Sequence, residues 1–410
     1  MYLRSHPLLF ALLAATRGGR GVRRLGRTLL VHDAAAYREA LTRLPLDRTA
    51  AGTTGAAARE ALAGAGSPGG GVLFDQEGSG HRSDRRSLAD GLGAAGVEQL
   101  RERWRPLLEQ RLAPLAAGGE VDLVALTREL SGSVVCDLLG TDAEPLAVAR
   151  AAADAAAASV RDHLPGLPRP GAASAAARTA RTLQSLLTGT AATAGGGHAS
   201  TTAAWNAPRA TAANSGPGPD ARPEPNGSAT VKGTGTGTVS EARAVEGALG
   251  AMVAVAAVNT SVAALPRAVA WCADAGLWEQ AADPALLPRL ADELLRVTAA
   301  SPVLPRVAAA EGSVGGCPVR GGDRLLLVAR HAAAAHRRDP DALDPAAPAD
   351  AHLVFGAGPH ACPGARLARA QLADVLAALA PYRPQVVRAR VDRRAALPGW
   401  RVLTVKAAGA

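Results

Sequence analysis

Aromatic residues are scarce in this chain of 410 residues, where Phe, Trp and Tyr make up 3% of the sequence. The core must therefore be built from aliphatic side chains and alanine. Lysine is almost absent as well, because Lys232 and Lys406 are the only two. The formal net charge of +9 thus comes from arginines spread along the chain, which is typical of GC-rich coding and not of a phosphate-binding stripe. We therefore expect no nucleic-acid partner.

Cysteines are few and far apart, at Cys136, Cys272, Cys317 and Cys362. Their spacing contains neither a C-x-x-C pair nor a zinc-finger pattern, so the sequence predicts no disulfide framework and no zinc site. Uninterrupted apolar runs are short too. The apolar stretches at residues 7–15 and 247–258 are both too short to span a bilayer. We expect a cytoplasmic protein without a membrane anchor.

One cysteine lies in a setting that suits a metal-bound thiolate. Cys362 is surrounded by Gly356, Gly358, Pro363 and Gly364, and an apolar run of helical period follows it. The glycines let the backbone approach a flat ligand closely, and the N–H groups of a first helical turn favour a negative sulfur. This pattern predicts an axial metal ligand or a nucleophile, although a lone cysteine is more often an inert buried thiol.

The whole string around this cysteine resembles a known motif. Phe355, Gly358, Cys362 and Gly364 match the heme-binding loop F-x-x-G-x-x-x-C-x-G of the cytochrome P450 family, with His360 two residues before the cysteine. The resemblance implies a mostly α-helical fold with small β-sheets, as one domain over residues 1–410. It also implies heme b as the cofactor, Cys362 as the iron ligand, and Phe355, His360 and Gly364 as residues that bind the heme. A thiolate on heme iron favours O–O cleavage.

Three basic residues are expected to bind the heme propionates by the same resemblance. His81 and Arg85 match the family's H-x-x-x-R, and the i, i+4 spacing places them on one helix face. Arg306 follows a proline-interrupted segment that should be extended, and it matches the family's second propionate-binding arginine. On its own, the first pair would be more often a solvated surface patch.

An acid and an arginine further along form the pattern E-x-x-R, with Glu293 and Arg296 on one helix face. Such a pair alone is commonly a surface salt bridge. The resemblance implies instead a buried, structural ion pair that fixes the chain before the heme loop. Arg338, in the sequence H-R-R-D-P, is expected as the third member of this network.

The predicted long helix at residues 241–273 departs from the family at one point. Residues 256–260 match A/G-G-x-D/E-T, except that Asn259 replaces the acid and Ala257 the glycine, while Thr260 is retained. The family's acid and alcohol relay protons, so Asn259 and Thr260 are the expected catalytic residues. An amide can hold water but cannot cycle a proton at neutral pH. A water chain with Thr260 is the simplest explanation, and oxidative coupling or the use of peroxide are the alternatives.

Periodicity and composition predict the elements away from the motifs. A strand is expected at 27–33, helices at 34–44, 96–115, 122–139, 144–160 and 172–188, a hairpin at 315–328 about a turn at 321–323, and short strands at 381–405. Residues 191–239 are rich in Gly, Ser, Thr and Pro without periodicity, which predicts a disordered insertion.

The resemblance implies a heme-thiolate oxidoreductase that oxygenates an organic substrate, of the secondary-metabolite kind, with O2. Because the chain has no flavin motif, the electrons should come from an external ferredoxin and its ferredoxin reductase. The substrate is expected to be a small molecule or a peptide. Two alternatives stay open: oxidative aromatic or peptide coupling, or peroxide use, suggested by Asn259, and a non-catalytic heme-binding or recruiting protein.

Overall fold

The computed structural model describes residues 6–18, 21–51, 53, 56, 85–86, 88–163, 172–189 and 237–409. The helices of these parts are α1 (Pro7–Thr16), α2 (Ala34–Thr42), α3 (Ala94–Ala116), α4 (Leu123–Leu139), α5 (Pro145–His163), α6 (Ala172–Thr188), α7 (Gly237–Asp274), α8 (Trp278–Ala282), α9 (Leu287–Val297), α10 (Ala329–Ala332), α11 (Pro348–Ala351) and α12 (Ala365–Leu379). The strands are β1 (Val22–Leu25), β2 (Thr28–Val31), β3 (Glu120–Asp122), β4 (Leu304–Val307), β5 (Gly312–Val314), β6 (Cys317–Val319), β7 (Arg324–Leu327), β8 (Gln385–Val391) and β9 (Trp400–Lys406). Short 3₁₀ turns lie at His352–Phe355, Gly358–His360 and Ala380–Tyr382.

The larger of two main cores lies among the helices, and it is built as the composition requires. Helices α3 to α7, α9 and α12 pack around leucines, valines and alanines, and Trp104 is the one aromatic side chain there that is fully buried. The mostly helical prediction is therefore confirmed. The predicted helix at 34–44 and the four predicted between 96 and 188 are also found, with ends that differ by a few residues.

A four-stranded sheet with the order β1-β2-β7-β4 forms the second core. β2 pairs in parallel with β7, so that Leu29 lies beside Leu325 and Val31 beside Leu327. All four side chains are fully buried, because α2 covers this face of the sheet. A separate three-stranded sheet with the order β3-β9-β8 confirms the short strands expected near the C-terminal end.

The hairpin predicted at 315–328 is wrong in its pairing. The hairpin that forms joins β5 to β6 through Gly315 and Gly316, whose φ angles are 55° and 72°. β7 leaves this hairpin and pairs with β4 and β2 instead. Its residues Leu325 and Leu327 are completely buried there, and a two-stranded hairpin could not bury them.

Helix α7 begins at Gly237, inside the segment predicted as a disordered insertion, whose residues 191–236 lie outside the described parts. Residues Gly247–Asp274 are apolar enough, at a mean hydropathy of 1.9, to cross a membrane. This stretch is longer than the apolar run at 247–258 from which the sequence analysis excluded a membrane span. Half of it is buried against other helices, and the fully buried Arg267 donates to the carbonyls of Thr298 and Ala299 at 2.8 and 3.1 Å. The helix thus crosses the core of the described fold.

Candidate heme site

The loop that carries Cys362 is a compact turn between α11 and α12. The Cys362 N–H donates to the Phe355 carbonyl at 2.8 Å, which closes the loop. Gly356 and Gly358 have φ angles of 77° and 72°, which other residues rarely adopt. A Cβ atom added at Gly358 would lie 3.2 Å from the carbonyl oxygen of Leu41. Helix α2 therefore lies directly against the heme loop.

The Cys362 side chain is exposed by surface area, yet burial by the surrounding protein raises the pKa of its thiol. The side chain thus keeps an accessible surface although protein surrounds it on most sides. The Gly364 N–H and the charge of Arg85 lower this pKa, but their effect comes after that of burial. The loop N–H thus favours the thiolate, as expected, but burial outweighs this effect in the absence of a bound cation. A bound metal cation would supply the missing stabilisation, because a coordinating thiol is deprotonated.

Arg85 supports the loop from the other side. Its Nη1 donates to the Ala361 carbonyl at 2.8 Å, directly before Cys362. Its remaining N–H groups are the ones that could reach a propionate. His81, its predicted partner, lies outside the described residues.

Arg306, on β4, is the residue whose surroundings best fit an absent anion. Its Nη1 donates to the Pro305 carbonyl at 2.8 Å, but its buried Nε has no hydrogen-bond partner within the described residues. Burial lowers the pKa of this guanidinium, and the charge of Arg48 lowers it further, while Tyr37 raises it. A buried N–H of a charged group without an acceptor is costly, so the site suits a carboxylate such as a heme propionate.

Glu293 and Arg296 form a buried, bidentate ion pair. Arg296 donates from Nε and Nη2 to the two carboxylate oxygens at 2.9 and 2.6 Å, and neither side chain is more than 1% exposed. The Arg296 guanidinium also donates to the carbonyls of Ala333, Arg338 and Asp339 at 3.2 to 3.4 Å. The pair therefore ties α9 to the chain that leads into the heme loop.

Arg338 joins this network in a different way from the one predicted. Its backbone carbonyl accepts from Arg296, whereas its guanidinium pairs with Asp344 at 2.5 Å and interacts with Glu293 through its charge. The hydrogen bond to Asp344 is the first cause that raises the pKa of Arg338. The third member is thus a main-chain carbonyl, for which the side chain gives no signal in the sequence.

The two residues of the altered relay point in different directions. Asn259 Nδ2 donates to the carbonyls of Ala152 on α5 and Val255 on α7, at 3.2 and 2.8 Å. Thr260 is exposed, and its hydroxyl donates to the Ala256 carbonyl at 2.7 Å. The amide at the acid's position therefore holds two helices together, while the alcohol faces open space.

Two residues next to the site, Arg369 and His352, were given no role by the sequence analysis. Arg369, on α12, pairs through Nε with Asp292 of α9 at 2.6 Å, and its guanidinium lies 5.5 Å from the centre of the Phe355 ring. His352 lies 3.7 Å from the same carboxylate. This cluster links the start of the loop to α9 and α12. No spacing rule marks it, because its members come from three separate segments.

Comparisons with known proteins agree on one family. No protein-family profile matches the chain. The chain is 40% identical over 103 residues to 20-oxo-5-O-mycaminosyltylactone 23-monooxygenase of Streptomyces fradiae, and 38% identical over 101 residues to nocardicin C N-oxygenase of Nocardia uniformis subsp. tsuyamanensis. These alignments cover 25% and 24% of this chain, and only 24% and 25% of those two proteins.

Solved structures match over nearly the whole length. A mutant of P450 EryK in complex with erythromycin B has a TM-score of 0.71 at 20% identity, over 98% of this chain and 97% of that one. CalO2 has a TM-score of 0.71 at 19% identity, over 99% and 96%. At these identities the likeness establishes the fold.

An accessible cysteine in a glycine-lined loop, together with an arginine whose buried Nε has no hydrogen-bond partner among the described residues, fits a heme-thiolate site within this fold. The fold is that of the bacterial cytochromes P450, and the sequence is similar to theirs over about a quarter of the chain. Heme b is the cofactor of that family. The residues present fit that group, because the sulfur is accessible, glycines line the loop and Arg306 needs an anion.

Proposed function

We propose that this protein is a monooxygenase that inserts oxygen from O2 into an organic substrate of the secondary-metabolite kind. The observation that carries the proposal is the accessible Cys362 sulfur in its glycine-lined loop. The relative from Streptomyces fradiae is a 23-monooxygenase of a mycaminosyltylactone, and the matching EryK structure contains erythromycin B. Both names support a substrate of that class.

Heme, when bound, supplies an iron centre that activates dioxygen with two electrons. In our proposal Cys362 is the axial ligand of that iron. Arg306, Arg85 and His81 neutralise the propionates, and Phe355, His360 and Gly364 line the same loop. The Glu293–Arg296 pair has a structural role, since it holds the chain that leads into the loop.

Proton delivery is assigned to Thr260 and water. Both contacts of the Asn259 amide nitrogen are to main-chain carbonyls, so this nitrogen is occupied, and the side chain has no titratable proton. Its Oδ1 can still accept from a water. Thr260 is exposed, and its hydroxyl can pass a proton on because it both donates and accepts.

The same observation favours one second candidate, an oxidative coupling enzyme or a user of peroxide. An amide held between α5 and α7 removes the family's acid from the relay. Coupling depends less on that relay, because the substrate groups supply the protons. Product mass separates the two: oxygenation adds one oxygen atom, whereas coupling removes two hydrogen atoms.

For the partners we propose a ferredoxin with its reductase as the electron donor and a small molecule or peptide as the substrate. We propose a cytoplasmic location without a membrane anchor, which the burial of half the apolar stretch of α7 supports. We also propose that residues 1–410 form one domain, with an insertion that begins at residue 191 and ends before Gly237, where α7 begins.

The test is the visible spectrum of the protein after reduction with dithionite and exposure to carbon monoxide. We expect a strongly red-shifted Soret band that disappears in Cys362→Ala and persists in Cys317→Ala, a control at a half-buried cysteine on β6. A carbonyl band typical of histidine-ligated heme, or a folded protein that takes up no heme, would refute the assignment. With ferredoxin, reductase and candidate substrates, a product mass higher by one oxygen then supports oxygenation. Failure to turn over O2 or peroxide with any donor would instead indicate a non-catalytic heme protein.

A further inference from the structure

We propose that the hydroxyl of Tyr37 donates a hydrogen bond to the same heme propionate that Arg306 binds. This inference rests on the heme binding proposed above and assigns it one more residue. Tyr37 belongs to no motif of the sequence, and nothing in its spacing marks it as a binding residue.

Tyr37 is an unusual residue for its place. It lies in the middle of α2, which begins at the N-cap Asp33, and its side chain is completely buried among the aliphatic residues of the sheet core, such as Leu29 and Leu325. Its hydroxyl is buried and has no hydrogen-bond partner within the part of the chain that the structure describes. A phenylalanine would fill the same space without this cost. The hydroxyl therefore calls for a partner that the protein alone does not provide.

Arg306 also carries a buried hydrogen-bond donor without a partner, and it lies near Tyr37. Its Nε is also buried without a partner among the described residues, and the two groups interact electrostatically. They are brought together because Arg306 pairs with Leu325 across β4 and β7, and α2 packs on that sheet.

The two groups do not satisfy each other's hydrogen bonds in the structure. The Tyr37 oxygen can accept from a guanidinium, but its own O–H would still lack an acceptor, because a guanidinium has none. Burial raises the pKa of Tyr37, so that its hydroxyl stays protonated and donates. A single acceptor that reaches both donors resolves both deficits. The positive charge of Arg306, with Arg48 also close, selects an anion.

The position of α2 identifies that anion. One helical turn after Tyr37, the Leu41 carbonyl lies against Gly358 of the heme loop. Tyr37 is therefore held between the sheet that carries Arg306 and the loop that carries Cys362. Of the charged groups on heme b, the propionates are the anions that can meet both donors there.

The experiment is heme transfer from the ferric holoprotein to excess apomyoglobin, with Tyr37→Phe compared with the wild type. Loss of a hydrogen bond to a charged group should speed the transfer about tenfold or more. The control is Tyr382→Phe, at a half-buried tyrosine in the turn after α12, and it should leave the rate unchanged. Urea unfolding of the heme-free protein is measured in parallel. There Tyr37→Phe should be neutral or stabilising, because it removes an unsatisfied buried hydroxyl.

The proposal thus predicts that Tyr37→Phe speeds heme loss from the holoprotein but does not destabilise the heme-free protein. An unchanged rate of heme transfer in Tyr37→Phe would overturn it. Equal destabilisation of the holo and heme-free forms would overturn it too, because the hydroxyl would then bind a protein group. Wild-type protein that takes up no heme would refute the proposed function itself, and this outcome differs from a heme protein in which Tyr37→Phe is silent.

Discussion

Acidification should weaken the contact between the N-terminal sheet and α10, where three histidines meet. His32 Nδ1, just after β2, lies 2.8 Å from His331 Nδ1, and the rings of His331 and His336 are tilted by 58° with their centres 4.6 Å apart. Burial lowers the pKa of His331 to about 3 and that of His336 to about 4, and it also lowers that of His32. The charges of Arg17 and Arg330 act in the same direction. Arg23, beside His32, and Arg337, beside His336, do so as well.

The direction in which the free energy of unfolding changes with pH follows from these lowered pKa values. Above pH 6.5 the histidines are neutral in both the folded and the unfolded chain, so that the shift costs nothing there. As the pH falls from 6.5 towards 3, the unfolded chain binds protons that the folded cluster refuses, and the free energy of unfolding decreases. With an unfolded pKa near 6.5 and about 1.36 kcal/mol per pH unit, His331 alone accounts for roughly 3 kcal/mol at pH 4.5.

The assay is urea unfolding of the holoprotein at pH 7.5 and 4.5, followed by tryptophan fluorescence. His331→Gln should lower stability at pH 7.5, since it disturbs the contact with His32, but its further loss on acidification should be smaller than that of the wild type by roughly 3 kcal/mol. The control His352→Gln, at a side chain that is 44% exposed, should show the wild-type pH dependence. If His331→Gln loses as much stability between the two pH values as the wild type does, the cluster is not the source of the acid sensitivity.

Three further predictions concern the heme site and its supports. Glu293→Gln leaves the buried Arg296 charge unpaired and should cost about 3–5 kcal/mol of stability, measured by thermal unfolding together with the fraction of protein that binds heme; wild-type values for both would contradict a structural role. Asn259→Asp replaces the donor to the Ala152 carbonyl by an acceptor and should cost about 1–3 kcal/mol, and a variant of unchanged melting temperature would show that this contact contributes nothing. Gly358→Ala forces a side chain into a φ of 72° and should cost about 1–2 kcal/mol, with faster heme loss as the readout; unaltered heme retention would show that the loop tolerates the strain.

The local parts of the site could be predicted from the sequence because each is carried by one short segment. The pattern around Cys362 contains both the ligand and the glycines of its turn, and Glu293 and Arg296 form their pair within one helix. The extended stretch before Arg306 follows from its prolines. These features need no information about the rest of the chain.

The parts that were missed depend on contacts between distant segments. The partners of β7 could not be read, since pairing with β2 or with β6 satisfies the same apolar pattern. The backbone role of Arg338 was hidden for a similar reason, because any residue there offers the same carbonyl. A tyrosine on the apolar face of a helix, such as Tyr37, looks like an ordinary core residue until its hydroxyl is found without a partner.

The parallel pairing of β2 with β7 has a consequence for the way this protein is made. His32 and His331, which follow these two strands, are 299 residues apart. At a synthesis rate of about 5–20 residues per second, β2 leaves the ribosome roughly 15 to 60 seconds before β7. During that interval β2 can pair only with β1, as a two-stranded ribbon of marginal stability with two open edges. The β1–β2 ribbon is thus synthesised early but joins its sheet late, and its open edges can pair with other nascent chains until β7 arrives.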